Sequence, residues 1–186
     1  KIYIYMTDYY KKYIKYKNKY LNYKTQRIAL QPQIHGGSTP VRDLESLFEP
    51  LTNETIRTVL NEYFHGSAEI IDIYGDISDW ITSQVTDMSH LFEEMTDFND
   101  DISRWNVSNV TDMSYMFDGA ESFNQDISRW EVGNVTNMNS MFGGALLFNE
   151  NISNWNVSSV TNMNGMFTLA TAFNQKLNWD VSNVTD

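Results

Sequence analysis

The sequence predicts a repeat solenoid in which each 25-residue coil contains a short strand and a short helical arc. All five tryptophans of the 186-residue chain occupy one repeat position, at intervals of 25, 25, 25 and 24 residues. Apolar residues of one type recur with the same period, and their spacing within a unit changes from a helical period to alternation. A helical N-terminal cap and a separate N-terminal amphipathic helix are predicted to precede the coils.

The amino-acid composition is that of a folded, cysteine-free protein. The chain is 41% hydrophobic and 14% aromatic, which argues against general disorder and allows a substantial core. It contains no cysteine, so a disulfide framework, a thiolate metal site and a thiol nucleophile are excluded. No apolar run approaches the roughly 20 residues that span a bilayer, and the first residues lack a signal-like apolar region. We therefore expect a soluble chain.

The net charge of -11 is divided unevenly along the chain. Residues 1–31 contain eight basic residues and one acid, whereas the remainder contains five basic and 23 acidic residues. Nucleic acid is excluded as a partner of the acidic body, because phosphate contacts require clustered lysine and arginine.

Residues 1–31 are predicted to form a basic amphipathic helix. Tyrosines at 9, 13, 16, 20 and 23 follow a 4-3-4-3 spacing, which places them on one helical stripe, while lysines fall largely on the other side. The stripe is interpreted as packing on its own domain or a neighbour; the alternatives are docking in a partner's helix groove or on an anionic surface. Residues 32–40 contain two prolines and two glycines and are predicted to be a linker.

Residues 41–68 are predicted to form the helical cap. Leu44, Leu47 and Phe48 mark one short amphipathic helix, and Ile56, Val59, Leu60 and Phe64 mark a second. Thr52 or Asn53 is the predicted N-cap of the second helix. The pair would cover the first hydrophobic layer of the coils.

Residues 69–186 are predicted to form about four repeats after a leading half repeat. In the central unit, Val110, Met113 and Phe117 follow a helical period, whereas Trp130 and Val132 alternate as in a strand. Coils stacked at about 4.8 Å would place each tryptophan and phenylalanine on its counterpart in the next coil. A ladder of inward asparagine amides is predicted at the corner between arc and strand. Its members are Asn99, Asn124, Asn149 and Asn174.

Candidate catalytic and metal-binding residues are few. His35, His65 and His90 share no ligand spacing. Recurrent acids at Asp76, Asp101 and Asp126 raise the possibility of calcium, but a calcium loop's alternation of acids with glycine is missing, so solvated acids or backbone caps are favoured. No nucleophile-base set or phosphate loop occurs. The sequence therefore predicts no catalytic residues, no metal and no cofactor.

A binding surface is predicted on the exposed positions that flank the inward isoleucine and tryptophan, because repeats vary most there. The alternative is that these side chains are solvated spacers. We call them the polar rows: Ser103, Arg104, Asn106, Ser128, Arg129, Glu131, Ser153, Asn154 and Asn156.

The chain also stops just after a new unit begins, so further repeats or end-to-end self-association are predicted to cover the last coil.

The unit MFxxAxxFNQDISxWxVSNVTNM is similar to the BspA-like surface-protein repeat, a domain also described from mycoplasma lipoproteins. The resemblance implies a right-handed, leucine-rich-repeat-like solenoid with a role in surface attachment or protein binding, and no catalytic residues. Gly133 departs from the pattern where Ser108 and Ser158 stand, and the last unit is one residue shorter. The segment YYKKYIKYKNKYLNYK resembles the KYxKYKxKYL segment of giant DNA virus proteins, which implies a virion or infected-cell cytoplasm, with the cell surface as the alternative.

The sequence-level expectation is a non-enzymatic protein-protein interaction or adhesion module, of a large DNA virus by its N-terminal resemblance, whose partners are proteins. The alternative is a structural component of a virion, such as a minor capsid protein, held in an assembly by its tail and by the open end of the stack. Enzyme activity is rejected, since repeated positions usually reflect packing.

Overall fold

The computed structural model describes residues 50–186. The predicted tail helix (1–31), the linker (32–40) and the first part of the predicted cap lie outside the described residues. The described chain begins with two α-helices, α1 (Ile56–Phe64) and α2 (Ala68–Tyr74), followed by a 3₁₀-helix at Ile77–Asp79. Four repeat units follow: three of 25 residues, at 85–109, 110–134 and 135–159, and one of 24 residues, at 160–183.

The prediction of a leucine-rich-repeat-like, right-handed solenoid with a strand and a helical arc in each coil is wrong. Between residues 50 and 186 there is no strand or sheet, and the helices are confined to Ile56–Asp79. Parallel pairing between units is limited to isolated bridges, which join Asp87 to Asp112, Asp112 to Asn137 and Asn137 to Asn162. Each unit is instead a succession of turns.

The predicted strand is folded into a turn. The backbone N–H of Trp105 donates to the Ile102 carbonyl at 3.1 Å, and the same bond joins Trp130 to Ile127 at 3.1 Å. A bond between residues three apart closes a β-turn, which an extended strand cannot contain. A second turn follows at once, since Val110 N–H donates to the Val107 carbonyl at 2.9 Å. Alternating burial of tryptophan and valine therefore reflects a pair of turns.

The predicted helical arc is interrupted by left-handed residues. In the second unit Tyr115 has φ +56° and Gly119 has φ +71°. A right-handed helix cannot continue through such a residue, because successive N–H groups then point in different directions. The same two positions have positive φ in every unit, although their side chains differ. They are His90, Tyr115, Ser140 and Gly165 at the first, and Glu94, Gly119, Gly144 and Leu169 at the second.

The interrupted backbone directs alternate N–H groups of one unit to the next. Those of Met113, Tyr115, Phe117 and Gly119 donate to carbonyls 24 residues further on, at distances of 2.7 to 2.9 Å. The first and third units make the same set of bonds. In the opposite direction, Thr136 N–H donates to the Thr111 carbonyl at 2.8 Å. Successive units are thus held together by backbone hydrogen bonds without a sheet.

The core consists of aromatic columns, and the predicted stacking of like rings is confirmed. Phe117 stacks on Phe142 with ring centroids 5.5 Å apart, and Phe123 stacks on Phe148 at 5.9 Å. Within one unit Phe117 also stacks on Phe123 at 3.9 Å. Trp130 lies 6.4 Å from the ring of Trp155 in a parallel arrangement. The centroid separations between units, 5.5 to 6.4 Å for these pairs, exceed the predicted coil spacing of about 4.8 Å.

Two polar ladders flank the aromatic columns. Each tryptophan ring of the four units donates to an isoleucine carbonyl 27 or 28 residues earlier, as Trp130 Nε1 does to Ile102 at 3.2 Å. The predicted asparagine ladder is confirmed, since Asn149 N–H donates to Asn124 Oδ1 at 2.8 Å and Asn124 N–H to Asn99 Oδ1 at 2.9 Å. Asn99 and Asn124 are exposed, however, so these amides do not point inward as predicted.

Helix α1 packs on the N-terminal side of the first unit. Tyr63 makes an edge-to-face contact with Trp80 at 5.3 Å, and Phe64 makes one with Phe98 at 6.0 Å. The predicted N-cap is wrong, because Thr55 occupies the cap position and makes no side-chain cap bond. Asn53 instead accepts from the N–H groups of Thr86 (2.9 Å) and Asp87 (3.2 Å).

Across residues 50–186, no helix is both long enough and apolar enough to cross a membrane.

Trp130→Ala is expected to lower the free energy of unfolding by about 3–5 kcal/mol, because the side chain is 3% exposed and its loss leaves a cavity between two units. Trp130→Phe should cost less, since it keeps a ring in the column and loses the bond to Ile102. Denaturant unfolding of the full chain measures both. A loss below about 1 kcal/mol for the alanine variant would contradict a core role for this ring.

Gly144→Ala is expected to lower the free energy of unfolding by about 1–2 kcal/mol, because φ is +62° and a Cβ would approach the Gly119 backbone nitrogen to 3.3 Å. Gly133→Ala is the matched control: its φ is not positive, and its Cβ would meet only the Asn156 amide at 3.5 Å. The control should change the free energy of unfolding by less than about 0.5 kcal/mol. Equal effects would show that the left-handed position is not strained by alanine.

Candidate interaction surface

The polar rows lie beside the buried isoleucines and tryptophans of the first three units. Ser103, Ser128 and Ser153 are half-buried, and the other six members are exposed. In the second unit, Ser128 and Arg129 lie between Ile127 and Trp130, which are both buried in the core. The rows therefore stand on a frame whose inward side chains are fixed by packing, as a binding surface requires.

The serines of the polar rows are used in turn formation. Ser128 N–H donates to Asp126 Oδ1 at 3.0 Å, and Ser103 N–H donates to Asp101 Oδ1 at 2.9 Å. In the third unit an asparagine replaces the acid, and Ser153 N–H donates to Asn151 Oδ1 at 3.0 Å. These are Asx turns, in which a side chain satisfies the backbone two residues on. The serines hold the turn and offer little surface to a partner.

Three further members of the rows have partners within the chain. Arg104 donates to Asp79 at 2.6 Å, and the Asp79 side chain is only 4% exposed. Asn106 accepts from the backbone N–H of Ser108 at 3.1 Å and from its hydroxyl at 2.7 Å. Asn156 accepts from Ser158 N–H at 3.2 Å. The two asparagines are thus oriented by their turns, and Arg104 by its ion pair with Asp79.

The remaining members, Arg129, Glu131 and Asn154, are exposed and make no hydrogen bond or ion pair with residues 50–186. Arg129 and Asn154 occupy the same repeat position in successive units, and Glu131 follows Arg129 by two residues. The charge of Arg129 acts on nearby Asp126, but its guanidinium makes no hydrogen bond in this part of the chain. It therefore retains its planar set of donors for carboxylates and carbonyls of another molecule. This trio is the part of the polar rows that is available for binding.

The prediction that the recurrent acids act as backbone caps is confirmed, since each accepts from a backbone N–H two residues on. Hydrogen bonds from the Ser128 hydroxyl and then from its N–H lower the pKa of Asp126, with a smaller contribution from the Arg129 charge. The Ser103 hydroxyl and N–H likewise lower the pKa of Asp101. Asp76 accepts from Ser78 N–H at 3.2 Å and begins the 3₁₀-helix.

The histidines have local partners. His65 Nδ1 lies 2.7 Å from the Asn61 carbonyl, and His90 Nδ1 lies 2.9 Å from the Glu93 carboxylate. His35 lies outside the described residues. From Pro50 onward, no three His, Asp or Glu side chains are grouped so that they could hold a metal ion.

The sequence did not indicate an acidic patch formed by Glu93, Glu94 and Asp118, which come from the first and second units. Burial, followed by the charges of Glu93 and Glu94, raises the pKa of Asp118. Asp118 and Glu93 are 25 residues apart, so they occupy the same repeat position in adjacent units. Column alignment of the units could have revealed this grouping, because residues 25 apart become neighbours.

The sequence profile of the family described as Mycoplasma protein of unknown function, DUF285, matches residues 58–178, well over half of the chain. The chain belongs to this family. The DUF285 match begins inside α1 and extends into the last unit, so it covers the turns that carry the polar rows. No curated protein and no solved structure matched the chain.

Membership of DUF285 confirms the resemblance to the mycoplasma-type repeat domain at the level of the family. The resemblance of the N-terminal segment to giant DNA virus proteins stays a prediction, since residues 1–31 lie outside the matched region.

The double variant Asp101→Asn/Asp126→Asn is expected to lose less thermal stability than the wild type when the pH is lowered, because both acids have a lowered pKa in the folded state. A carboxylate with a lowered folded-state pKa stabilises the fold above its unfolded pKa, about 3.9, and this stabilisation is lost as pH falls through the folded pKa. Asparagine keeps the acceptor, as Asn151 does, and does not titrate in this range. Thermal melts from about pH 5 to pH 2 should show a shallower decline for the double variant. Identical profiles would contradict the capping role of the ionised acids.

Proposed function

We propose that this DUF285 protein is a non-enzymatic protein-protein interaction or adhesion module whose partner binds the polar rows. The observation that carries the proposal is the exposed trio of Arg129, Glu131 and Asn154, which makes no hydrogen bond or ion pair within residues 50–186 although neighbouring members are engaged in turns. A frame already ordered by turns and stacked rings reduces the entropy lost when such side chains bind a partner.

The polar character of the trio favours a protein partner with complementary charges. Arg129 would pair with a carboxylate and Glu131 with a lysine or arginine, and such pairs contribute mainly to specificity and association rate. The polar rows also include fixed groups in the preceding unit, such as Arg104 with its buried Asp79 partner, that can serve as rigid contacts at the rim.

The cellular setting is part of the proposal. The N-terminal resemblance supports a virion or the cytoplasm of an infected cell, and the resemblance of the repeat to BspA-like surface proteins supports the cell surface as the alternative. A structural role in a virion would be recognised by a stoichiometric copy number in purified particles, whereas an interaction module would be substoichiometric.

The charge swap Arg129→Glu/Glu131→Lys tests the polar rows. It leaves the net charge unchanged, so a loss of affinity cannot be ascribed to overall electrostatics. The partner is first identified by crosslinking to the full chain and then purified, and binding is measured by titration calorimetry. We expect the swap to weaken binding at least about tenfold, which corresponds to about 1.4 kcal/mol.

The matched control is Glu150→Lys/Lys176→Glu, which reverses one acid and one base outside the polar rows and also preserves the net charge. It should leave the affinity within about twofold of wild type. Equal affinity for the wild type and the Arg129 swap would remove the polar rows from the binding site.

A further inference from the structure

A groove separates α1 from the first unit. Its floor is apolar and consists of Leu60 and Phe64 from α1 and Leu91 and Met95 from the first unit. Its volume is about 420 Å³, towards the lower end of the range of roughly 300–1,000 Å³ found for ligand pockets. This is room for anchoring side chains and not for a whole helix, so an occupant would lie over the groove and insert apolar residues.

The walls of the groove are held in place by polar contacts. Arg57 donates to the Ser89 carbonyl at 2.7 Å and forms an ion pair with Asp87 at 3.3 Å, which ties α1 to the first unit. His90 lies against Glu93 at 2.9 Å and stacks on Tyr115 with ring centroids 4.7 Å apart. The groove is therefore preformed, which lowers the cost of binding.

The surface beside the groove is acidic. The polar lining of the groove includes Arg57, which is paired with Asp87, and His65 and His90. The acidic patch adjoins the groove through Glu93, which lies 2.9 Å from His90, and both Glu93 and Glu94 are exposed. Burial and then repulsion from these two glutamates raise the pKa of Asp118, while the neighbouring His90 acts in the opposite direction. Residues 50–186 contain 20 acidic residues, and their basic residues are Arg57, Arg104, Arg129 and Lys176. A cationic ligand would reduce this repulsion.

We propose that the groove binds a basic amphipathic helix of a partner protein. Apolar residues at positions i, i+3 or i+4, and i+7 of that helix would insert between Leu60, Leu91 and Met95. Its lysines or arginines would pair with Glu93 and Glu94. Charge complementarity selects this occupant over an acidic or uncharged helix, because the adjoining carboxylates repel the former and gain nothing from the latter.

The proposal does not rest on the polar rows. Those rows follow the isoleucine and tryptophan turns, whereas the groove is lined by α1 and by His90, Leu91 and Met95 of the first unit. The two sites can therefore fail or succeed separately, and the Arg129 swap should not affect the groove.

The test uses the full chain and a fluorescent helical peptide of leucine and lysine in an amphipathic pattern, followed by anisotropy. A second peptide with glutamate in place of every lysine is the control ligand. We expect the lysine peptide to bind, the glutamate peptide to show no binding, and added salt to weaken the complex. Binding of both peptides alike, or a Kd for the lysine peptide weaker than about 1 mM, would overturn the proposal.

Three variants locate the site. Glu93→Gln/Glu94→Gln and Met95→Gln should each weaken binding of the lysine peptide about tenfold, because the first removes charge pairing and the second places an uncharged polar amide in the apolar floor. Glu121→Gln/Glu150→Gln removes two acids elsewhere and should change binding less than about twofold. Equal losses in the two double glutamine variants would indicate nonspecific attraction and overturn the site. Thermal melts of each variant confirm that it is folded.

A chain that lacks residues 1–31 distinguishes the source of the helix. Unchanged peptide affinity in this variant supports a partner helix as the occupant. A gain of about tenfold would show that the basic N-terminal segment of the chain itself competes for the groove, and would overturn the assignment to a partner.

Discussion

The hydrogen bonds between successive units are the constraint on which the rest of the structure depends. Four N–H groups of each complete unit donate to carbonyls of the next, as Phe117 does to Met141 at 2.9 Å. No unit can satisfy these donors by itself, because its own carbonyls are used in turns or point to the preceding unit. A unit is therefore ordered by its neighbours, which makes stability cooperative along the stack.

This bonding requires two left-handed residues in each unit, and it explains the arrangement of the core. The left-handed positions turn alternate N–H groups outward along the stack and place the phenylalanines one above another. Gly119 and Gly144 adopt the required conformation without steric cost, whereas Tyr115 and Glu94 adopt it because the bonds on either side hold them there. Stacked rings and backbone bonds thus stabilise the same register.

The division between packing and function follows from the same frame. The large apolar residues are buried between units, and many polar side chains are engaged in Asx turns or ladders, as Asp126 and Asn124 are. What remains for recognition lies on the sides: the exposed members of the polar rows, and the groove where α1 meets the first unit. The acidic patch arises because residues 25 apart in the sequence are adjacent in the stack.

The sequence by itself determined the period, the identity of the buried columns, the stacking of like rings and the asparagine ladder, since each depends only on which residues recur every 25 positions. It did not determine the backbone within a unit. The spacing of Val110, Met113 and Phe117 fits a helix as well as it fits turns separated by left-handed residues, and the types at those left-handed positions vary from His90 to Gly165. Only the tertiary structure decided between them, because Tyr115 and Glu94 have no local preference for the left-handed conformation, and their N–H groups donate to the next unit at 2.8 and 2.7 Å.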